Sequence, residues 1–600
     1  MSTQRLSLLS VVLLGIIGAV IVAVGPLARA GGPLALVDGR PVRWARGEVR
    51  GGPLNSTTVD AAGRVLYHVD TGKLGTLSEE QAVAFVNRIF QQYTDIPTAT
   101  IEFANAGSII DPTNNQPANV NGDNMGRFLS SSNPTFQNPI IFDSDGSITG
   151  SGGVLGFFGF LQIDTTNAEL REGFVVLNGR PLKNGSITPT SFLGVFTHEF
   201  GHFAGPLDHA QINGNIASEG DGAVLPPGFS GVGAFDLYAP FTETMYPFIF
   251  NAPLGSQLAG QFEFEDSGFF IATLDLDTQN ALSNLYPTAG YLASNGSIEG
   301  HVVIRTASGD VAVNGINVVA RRLSPGGGYP PSSATLAFPI APTLDGDGVP
   351  SAPPNQAATD SLKFVSSAVS GMEFGPGTYR IQGLPPGDYL VEIQQINPDA
   401  DGASGIGPLN KQFPVTVPEL YNAAGESATD NPNDFVPVTV TAGGVTENID
   451  IILNGFSNAA LPIINETEPN EKKKQAQPLI FPVELHGAAS DSDTSKVKIN
   501  FGEQGVGRVH DLYKFEVTTA GVFVIILDPV SGLGDMDMYL LDNSFSGKKI
   551  PIESASMVAF SASPGASELI AARLAPGTYF IGVSAFAGTF NYRLRIIPGQ

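Results

Sequence analysis

Residues 198–209 read His-Glu-Phe-Gly-His-Phe-Ala-Gly-Pro-Leu-Asp-His and hold three of the seven histidines of this chain. His198 and His202 are four residues apart, so on a helix both imidazoles project from the same face and can bind one metal ion. Glu199 follows the first histidine, where its carboxylate can reach a metal-bound water molecule. The spacing predicts a zinc-binding helix, and the alternative is a buried helix with two hydrogen-bonded histidines.

The residues after this helix predict how a third ligand returns to the metal. Gly205 allows the backbone to leave the helix through a left-handed cap, and Pro206 prevents the helix from continuing. His209 or its neighbour Asp208 would then bind the metal and leave the fourth position open for water. Because imidazole suits zinc, we predict His209 as the third ligand and keep Asp208 as the alternative.

The whole stretch resembles the metzincin signature of zinc peptidases, and within it the matrixin pattern His-Glu-x-Gly-His-x-x-Gly-x-x-His. The family spacing places the third ligand at Asp208, whereas a one-residue insertion at Pro206 would restore His209 to that role. The resemblance therefore leaves the third ligand open between these two residues.

Two downstream segments extend the resemblance. Residues 244–247 read Thr-Met-Tyr-Pro and resemble the Met-turn, in which Met245 would pack beneath the histidines as an apolar floor. Residues 280–287 resemble the helix that closes a matrixin catalytic domain. A gluzincin would instead take its third ligand from a second helix, but the available Glu219 lies in a stretch without helical periodicity.

The resemblance implies an α+β zincin domain at residues 65–290 that acts as a zinc-dependent endopeptidase. His198, His202 and His209 would bind Zn²⁺, and Glu199 would be the general base for a zinc-activated water. The substrates would be peptide bonds of extracellular proteins. The rival hypothesis is an extracellular adhesion protein that binds glycans or proteins and carries a degenerate zincin domain.

The segment before the zinc helix is predicted to contain a strand, a helix and a second strand, which is the order expected of a zincin domain. Residues 65–69 predict a strand, and Ser78 with Gln81 forms a capping box that opens a helix. A second strand is predicted over residues 100–103. The apolar residues of the predicted helix recur at helical spacing, which indicates one buried face: Ala82, Phe85, Val86, Ile89 and Tyr93.

Calcium is a second candidate cofactor. Asp143 and Asp145 alternate before Gly146, so their carboxylates could converge on one cation. An ordinary Asp-Gly turn is the alternative at this position.

The composition further limits the architecture and the partners that this protein can have. The 600 residues are too many for one core and predict several domains, and 71 Gly with 44 Pro indicates many turns and β modules. The chain has no cysteine, which excludes disulfides, thiolate zinc ligands and the cysteine switch of matrixins. A net charge of −26 argues against nucleic acid and anionic lipid as partners.

The N-terminus predicts export. Residues 1–30 combine Arg5, a long apolar run and the sequence Ala-Arg-Ala at residues 28–30, which is typical of a cleaved signal peptide. Such a signal on a cysteine-free chain favours a secreted prokaryotic protein, with an uncleaved membrane anchor as the alternative. Residues 31–64 are predicted to be a short arm or pro-segment.

The second half of the chain predicts two all-β sandwich domains. Residues 294–457 alternate like sandwich strands, resemble the carboxypeptidase regulatory-like fold and contain a Pro/Gly-rich insertion at residues 323–358. Residues 458–475 form a predicted linker. Residues 476–600 are predicted as a β-sandwich that, with Glu468-Pro-Asn470 and residues 511–515 and 535–540, resembles the bacterial pre-peptidase C-terminal domain.

Overall fold

A computed structural model of the chain describes most residues between Leu34 and Gly599. The described ranges are 34–37, 40–150, 153–207, 244–245, 271–272, 274–323, 343–344, 350–351, 365–370, 375–394, 419–432, 434–493, 497–500, 506–551, 554–561 and 567–599. Three main apolar cores and a strand-rich secondary structure confirm a multidomain, predominantly β protein. The signal peptide predicted at residues 1–30 lies outside the described residues.

The N-terminal region is built on one mixed sheet of eight strands. The order is β11-β12-β10-β6-β5-β4, with β3 beside β12 and β7 beside β6. Strands β6, β10 and β12 are mutually parallel, whereas β11 runs antiparallel to β12. The strands of this region are β1 (Leu36–Val37), β2 (Arg40–Pro41), β3 (Arg43–Trp44), β4 (Val49–Gly51), β5 (Ser56–Val59), β6 (Val65–Val69), β7 (Phe103–Ser108), β8 (Ile110–Asp111), β9 (Gln116–Pro117), β10 (Pro139–Asp143), β11 (Gly156–Asp164) and β12 (Glu169–Asn178).

Among the described residues, two 16-residue helices pack together in the core beside this sheet, and three shorter α-helices accompany them. The five are α1 (Glu79–Thr94), α2 (Arg180–Asn184), α3 (Pro189–Ala204), α4 (Leu276–Leu285) and α5 (Tyr291–Ser294). Stacked rings of Tyr67, Phe90 and Phe200 join β6, α1 and α3. The stack places α3, which carries the histidine pair, against the centre of the core.

The prediction for α1 is confirmed. The Ser78 hydroxyl accepts a hydrogen bond from the Gln81 backbone at 3.3 Å, and the Gln81 side chain accepts one from the Ser78 backbone at 3.0 Å. All five predicted apolar residues of the helix are buried. The strand predicted at residues 100–103 instead begins at Phe103, because Ala99 and Thr100 pair with the chain around Pro287.

The segment predicted as an arm or pro-segment contributes strands to the same sheet. Trp44 is fully buried, and its indole nitrogen donates to the Phe203 carbonyl oxygen at 2.6 Å. Its backbone nitrogen donates to the Tyr286 hydroxyl at 2.7 Å. Residues 40–59 therefore fold as part of this domain, and the predicted boundary at residue 65 does not separate two packed units.

A buried carboxyl in this sheet gives a testable pH dependence. Burial raises the pKa of Glu172 from 4.5 to about 7, although hydrogen bonds from Thr135 and Gln137 lower it. The folded protein binds this proton more tightly than the unfolded chain, so stability falls as pH rises from 4.5 to 7. The shift predicts a loss of about 3 kcal/mol in the free energy of unfolding by pH 8.

We expect Glu172→Gln to remove this part of the pH dependence. Urea unfolding at pH 5 and pH 8 can be followed by the fluorescence of Trp44, the single tryptophan of the chain. Glu102→Gln, at an exposed position of the same domain, is the charge-matched control. Equal pH slopes for wild type and Glu172→Gln would contradict the assignment.

The middle region forms two five-stranded sheets that face each other across an apolar core. One has the order β14-β13-β19 with β23 and β24 beside β13, and the other has the order β18-β15-β20-β21 with β22 beside β20. The strands are β13 (Gly296–Thr306), β14 (Gly309–Ala312), β15 (Asn317–Arg322), β16 (Thr343–Leu344), β17 (Pro350–Ser351), β18 (Val365–Val369), β19 (Thr378–Leu384), β20 (Gly387–Gln394), β21 (Glu419–Leu420), β22 (Val438–Val440), β23 (Val445–Thr446) and β24 (Ile451–Ile452).

The C-terminal region contains an eight-stranded and a three-stranded sheet. Strands β31 and β35 are each 22 residues long and pair along most of their length. β25 already pairs with β27, so the predicted linker at residues 458–475 contributes a strand to this sheet. The strands are β25 (Ile463–Asn465), β26 (Gln477–Pro478), β27 (Val483–Ser490), β28 (Val497–Asn500), β29 (Val506–Val509), β30 (Asp511–Val517), β31 (Gly521–Asp542), β32 (Lys549–Pro551), β33 (Met557–Ser561), β34 (Glu568–Leu574) and β35 (Gly577–Pro598).

Within the described ranges, no helix combines the length and the apolar character needed to cross a bilayer.

Candidate metal centre

Helix α3 holds the candidate metal ligands inside the N-terminal region. Thr188 caps its first turn by accepting a hydrogen bond from the Ser191 backbone at 3.1 Å, and Pro189 begins the helix. His198, Glu199 and His202 lie in its second half with exposed fractions of 8 %, 6 % and 6 %. The helix thus carries all three polar side chains into a largely water-excluded position.

Each imidazole is oriented by a backbone carbonyl. His198 Nδ1 lies 2.9 Å from the Thr244 oxygen, and His202 Nδ1 lies 2.5 Å from the Leu207 oxygen. A carbonyl oxygen only accepts hydrogen bonds, so Nδ1 carries the proton on both rings. The Nε2 atoms are then the unprotonated nitrogens that a metal ion could use, and they converge to 3.2 Å from each other.

The spacing of these two nitrogens fits a zinc ion. Nitrogens at about 2.0–2.1 Å from a tetrahedral zinc are about 3.3–3.4 Å apart, close to the separation found between His198 and His202. A hydrogen bond from the second ring nitrogen to a carbonyl is the usual support of a zinc-bound histidine. The two side chains are therefore arranged as a pair of ligands to one ion.

Burial sets the protonation of the site. It lowers the pKa of His198 to about 4 and that of His202 to about 3, with the charge of His198 adding to the effect at His202. Both rings are consequently neutral at physiological pH, which is the form that binds metal. Burial raises the pKa of Glu199 to about 8.

Glu199 lies against the beginning of strand β11. A Cβ atom placed on Gly156 would be 2.7 Å from Glu199 Cγ and 2.9 Å from its Oε1. Gly156 therefore leaves the space that the Glu199 carboxyl occupies. Among the described strands, β11 pairs with β12 on one side only, so the carboxyl stands at an open edge of the sheet.

Met245 lies beneath the histidine helix. Its side chain is fully buried, and a Cβ atom placed on Gly201 would be only 2.1 Å from Met245 Sδ. The same Cβ would be 2.9 Å from the hydroxyl of Tyr93, which donates to the Thr197 carbonyl at 2.7 Å. Glycine at position 201 thus allows the thioether to reach the helix between the two histidines.

Asp275 supports His198 through Thr244, and no local sequence pattern predicts this role. Its carboxylate accepts a hydrogen bond from the Thr244 backbone at 2.5 Å and caps α4 by accepting one from Thr278 at 2.7 Å. The Thr244 carbonyl then orients His198. An Asp-x-x-Thr cap can be read from the sequence, but its contact with residue 244 cannot.

We expect Asp275→Ala to weaken zinc binding about 10- to 100-fold, because loss of a residue that orients a ligand typically costs this much. Zinc affinity is measured by competition with a chromogenic chelator. Ser78→Ala is the matched control, since it also removes a helix N-cap but lies on α1. Equal zinc affinity in Asp275→Ala and Ser78→Ala would exclude the positioning role.

Both candidates for the predicted third ligand lie outside the described residues. Both His209 and Asp208 belong to the range 208–243, as does Glu219 of the gluzincin alternative. The prediction of a left-handed cap at Gly205 is wrong, since its φ is −126°. Glycine is needed there for space instead, because a Cβ atom would be 2.7 Å from both Leu207 and Leu282.

The candidate calcium residues Asp143 and Asp145 are occupied by their own turn. Asp143 Oδ2 accepts hydrogen bonds from the backbone of Ile148 and from both the backbone and the hydroxyl of Thr149, at 2.8–3.1 Å. Asp145 accepts one from the Ser147 backbone at 3.0 Å. The structure brings no third carboxylate to them within the described ranges. This geometry is that of an Asp-Gly turn.

A group of carboxylates does occur in the C-terminal sandwich. Oxygen atoms of Glu466, Glu468 and Asp511 lie within 4.8 Å of one another. Tyr513 donates to Glu466 at 2.5 Å, and Tyr592 donates to Asp511 at 2.7 Å. This group includes two of the segments on which the resemblance of the C-terminal domain rests.

Comparison with known proteins identifies the C-terminal part of the chain. Residues 510–585 match the bacterial pre-peptidase C-terminal domain, which confirms the predicted type of domain. The match does not test the boundaries predicted for this domain, residues 476 and 600, which stay a prediction. No protein with a curated description matches the chain.

Three similar solved structures each cover less than a quarter of this chain. The pre-peptidase C-terminal domain of a Bacillus anthracis collagenase is 19% identical over 22% of this chain and 99% of its own, with a TM-score of 0.16. An Aeromonas hydrophila periplasmic inhibitor of g-type lysozyme is 14% identical over 24% and 100%, with a TM-score of 0.14. A carbohydrate-binding module of a Cellvibrio mixtus lichenase is 14% identical over 16% and 83%, with a TM-score of 0.11.

Proposed function

We propose that this chain is a secreted zinc-dependent endopeptidase with a matrixin-like metzincin domain of α+β zincin fold. The observation that carries the proposal is the pair of His198 and His202, whose Nε2 atoms converge to 3.2 Å while backbone carbonyls hold both Nδ1 atoms. Met245 beneath the helix supports the metzincin reading, because its thioether supplies the apolar floor expected of a Met-turn.

Glu199 is the proposed catalytic base and acid. When bound, zinc would polarise the scissile carbonyl and lower the pKa of a water molecule. The Glu199 carboxylate takes a proton from that water as it attacks and passes it to the leaving amine, so one residue serves both halves of the reaction. Its position on the residue after His198 keeps the carboxyl close to the ligand pair.

The open edge of strand β11 is the proposed binding site for the backbone of the substrate. An extended peptide can add to an open sheet edge through main-chain hydrogen bonds, which bind any sequence in the same register. Glu199 lies against Gly156 at the start of this strand. A peptide seated there would therefore pass the catalytic carboxyl in an extended conformation, as a proteolytic site requires.

The surrounding domains support action outside the cell. The match of residues 510–585 to the bacterial pre-peptidase C-terminal domain fits an exported protease, and a cleaved signal at residues 1–30 would deliver it. We assign the middle sandwich to the carboxypeptidase regulatory-like type on its two facing sheets and its sequence pattern.

Cleavage of casein by the purified full chain tests the proposal. Activity should disappear after treatment with a chelator and return on addition of Zn²⁺. A protein that binds zinc but cleaves neither casein nor gelatin would contradict the endopeptidase assignment and favour the adhesion hypothesis.

The third ligand can be assigned with two parallel variants. If His209 is the ligand, His209→Ala should lose zinc sharply while Asp208→Ala retains it. The reverse pattern would assign Asp208.

A further inference from the structure

The middle sandwich contains an acidic cluster that is separate from the zinc centre. The chain from Glu419 to Asp430 leaves strand β21, forms a short 3-10 helix at Ala423–Gly425 and turns back on itself. It brings one carboxyl oxygen each of Glu419, Glu426 and Asp430 within 4.8 Å of the others.

Four buried oxygen atoms at this cluster accept no hydrogen bond from any described residue. They belong to Glu419, Asn422, Asp430 and Asn454. Glu419 is 1 % exposed and Asn422 is 8 % exposed, so water does not readily replace the absent donors. Because a buried acceptor without a donor costs free energy, a group of four requires a compensating ligand.

Hydrogen bonds from Asn422 connect it to two of the three clustered carboxylates. Its side-chain amide donates to Asp430, and its backbone nitrogen donates to Glu426 at 2.8 Å. Asn454, which follows β24, donates its backbone N–H to the second oxygen of Glu419 at 2.8 Å. These hydrogen bonds connect Asn422 and Asn454 to the three clustered carboxylates, and the amide oxygens of both residues accept no hydrogen bond from a described residue.

The described residues supply little positive charge to this cluster. Burial, followed by the nearby Glu426 and Asp430, raises the pKa of Glu419 to about 9. Arg305 interacts weakly with Glu426 but is held by Asp310 through two hydrogen bonds of 2.8 Å. A bound cation would neutralise three carboxylates this close together and would favour their ionised form.

We propose that Glu419, Asn422, Glu426 and Asp430 bind a calcium ion, with Asn454 beside them. An all-oxygen set of carboxylates and amides is the ligand chemistry of Ca²⁺. Oxygens bound at about 2.4 Å to one Ca²⁺ can lie up to about 4.8 Å apart, so carboxyl oxygens within this limit can share one ion. Ca²⁺ accepts an irregular set of protein oxygens, whereas Mg²⁺ requires a nearly ideal octahedron and keeps several of its waters. The bound ion would hold residues 419–430 against the end of strand β24.

Calcium titration of the full chain by isothermal calorimetry, after removal of bound metal, tests this site. We expect Glu419→Gln to bind one equivalent of Ca²⁺ fewer than wild type. Glu447→Gln, an exposed position in the same sandwich, should bind as wild type does. Counting equivalents separates this site from the carboxylate group at Glu466. An unchanged count in Glu419→Gln, or no calcium binding by wild type, would overturn the proposal.

A spectroscopic test covers the case in which Glu419→Gln fails to fold. Tyr421 lies in the segment itself and interacts with Glu426, so it should sensitise the luminescence of Tb³⁺ bound in place of calcium. Tyr421→Phe leaves every proposed ligand intact. We expect wild-type emission that Ca²⁺ displaces and a weaker emission in Tyr421→Phe, and equal emission from the two proteins would reject the site.

Discussion

Replacement of Glu199 by alanine is expected to lower kcat/KM for a peptide substrate about 10²- to 10⁴-fold while zinc stays bound, because general acid–base catalysis contributes about this much. The structure separates the two effects, since the histidine Nδ1 atoms are held by Thr244 and Leu207 rather than by Glu199. Cleavage of a fluorogenic peptide gives the rate, and metal analysis of the same sample gives the zinc content.

Glu80→Ala is the control for this variant, because it removes an exposed glutamate from the same domain. It should cleave at the wild-type rate. If Glu199→Ala retained both zinc and full activity, Glu199 would not be the base and the mechanism would be wrong.

Replacement of His202 by alanine is expected to weaken zinc binding more than about 100-fold, beyond the usual loss for a supporting residue. His202 Nε2 is one of the two converging nitrogens, and its orientation depends on the Leu207 carbonyl. Activity should fall with the metal, and excess Zn²⁺ should restore part of it. Zinc content after dialysis measures the effect.

His301→Ala is the matched control because His301 is exposed and lies in the middle sandwich, where it interacts with Asp450. Its zinc content should equal that of wild type. Equal zinc retention by His198→Ala, His202→Ala and His301→Ala would show that the histidine pair does not bind the metal.

The parts of the site that could be predicted from the sequence are those set by local geometry. A helix fixes the relation of His198 to His202, and a capping box needs only Ser78 and Gln81. In each case the partners are three or four residues apart, so helical periodicity alone places them together.

Contacts between distant residues could not be predicted in this way. Trp44 contacts Tyr286 across 242 positions, so the apparent N-terminal arm proved to be part of the core. Asp275 reaches Thr244 across 31 positions. The requirement for glycine at position 156 arises because Glu199, 43 positions away, occupies its space.

The acidic cluster at Glu419 illustrates the same limit. Its carboxylates follow no regular spacing, and Asn454 joins them from the turn after β24. A calcium loop is recognised from sequence when its ligands alternate along one segment, as Asp143 and Asp145 do. There the structure shows Oδ2 of Asp143 engaged by hydrogen bonds from its own turn. Side-chain packing therefore distinguishes the two clusters.

Zinc-edge X-ray absorption of the purified full chain tests the central claim most directly. The account predicts about one zinc per chain, bound by imidazole nitrogens at about 2.0–2.1 Å, with that imidazole signal lost in the His198→Ala, His202→Ala double variant. A wild-type chain that binds no zinc, or binds it without imidazole ligands, would contradict the account.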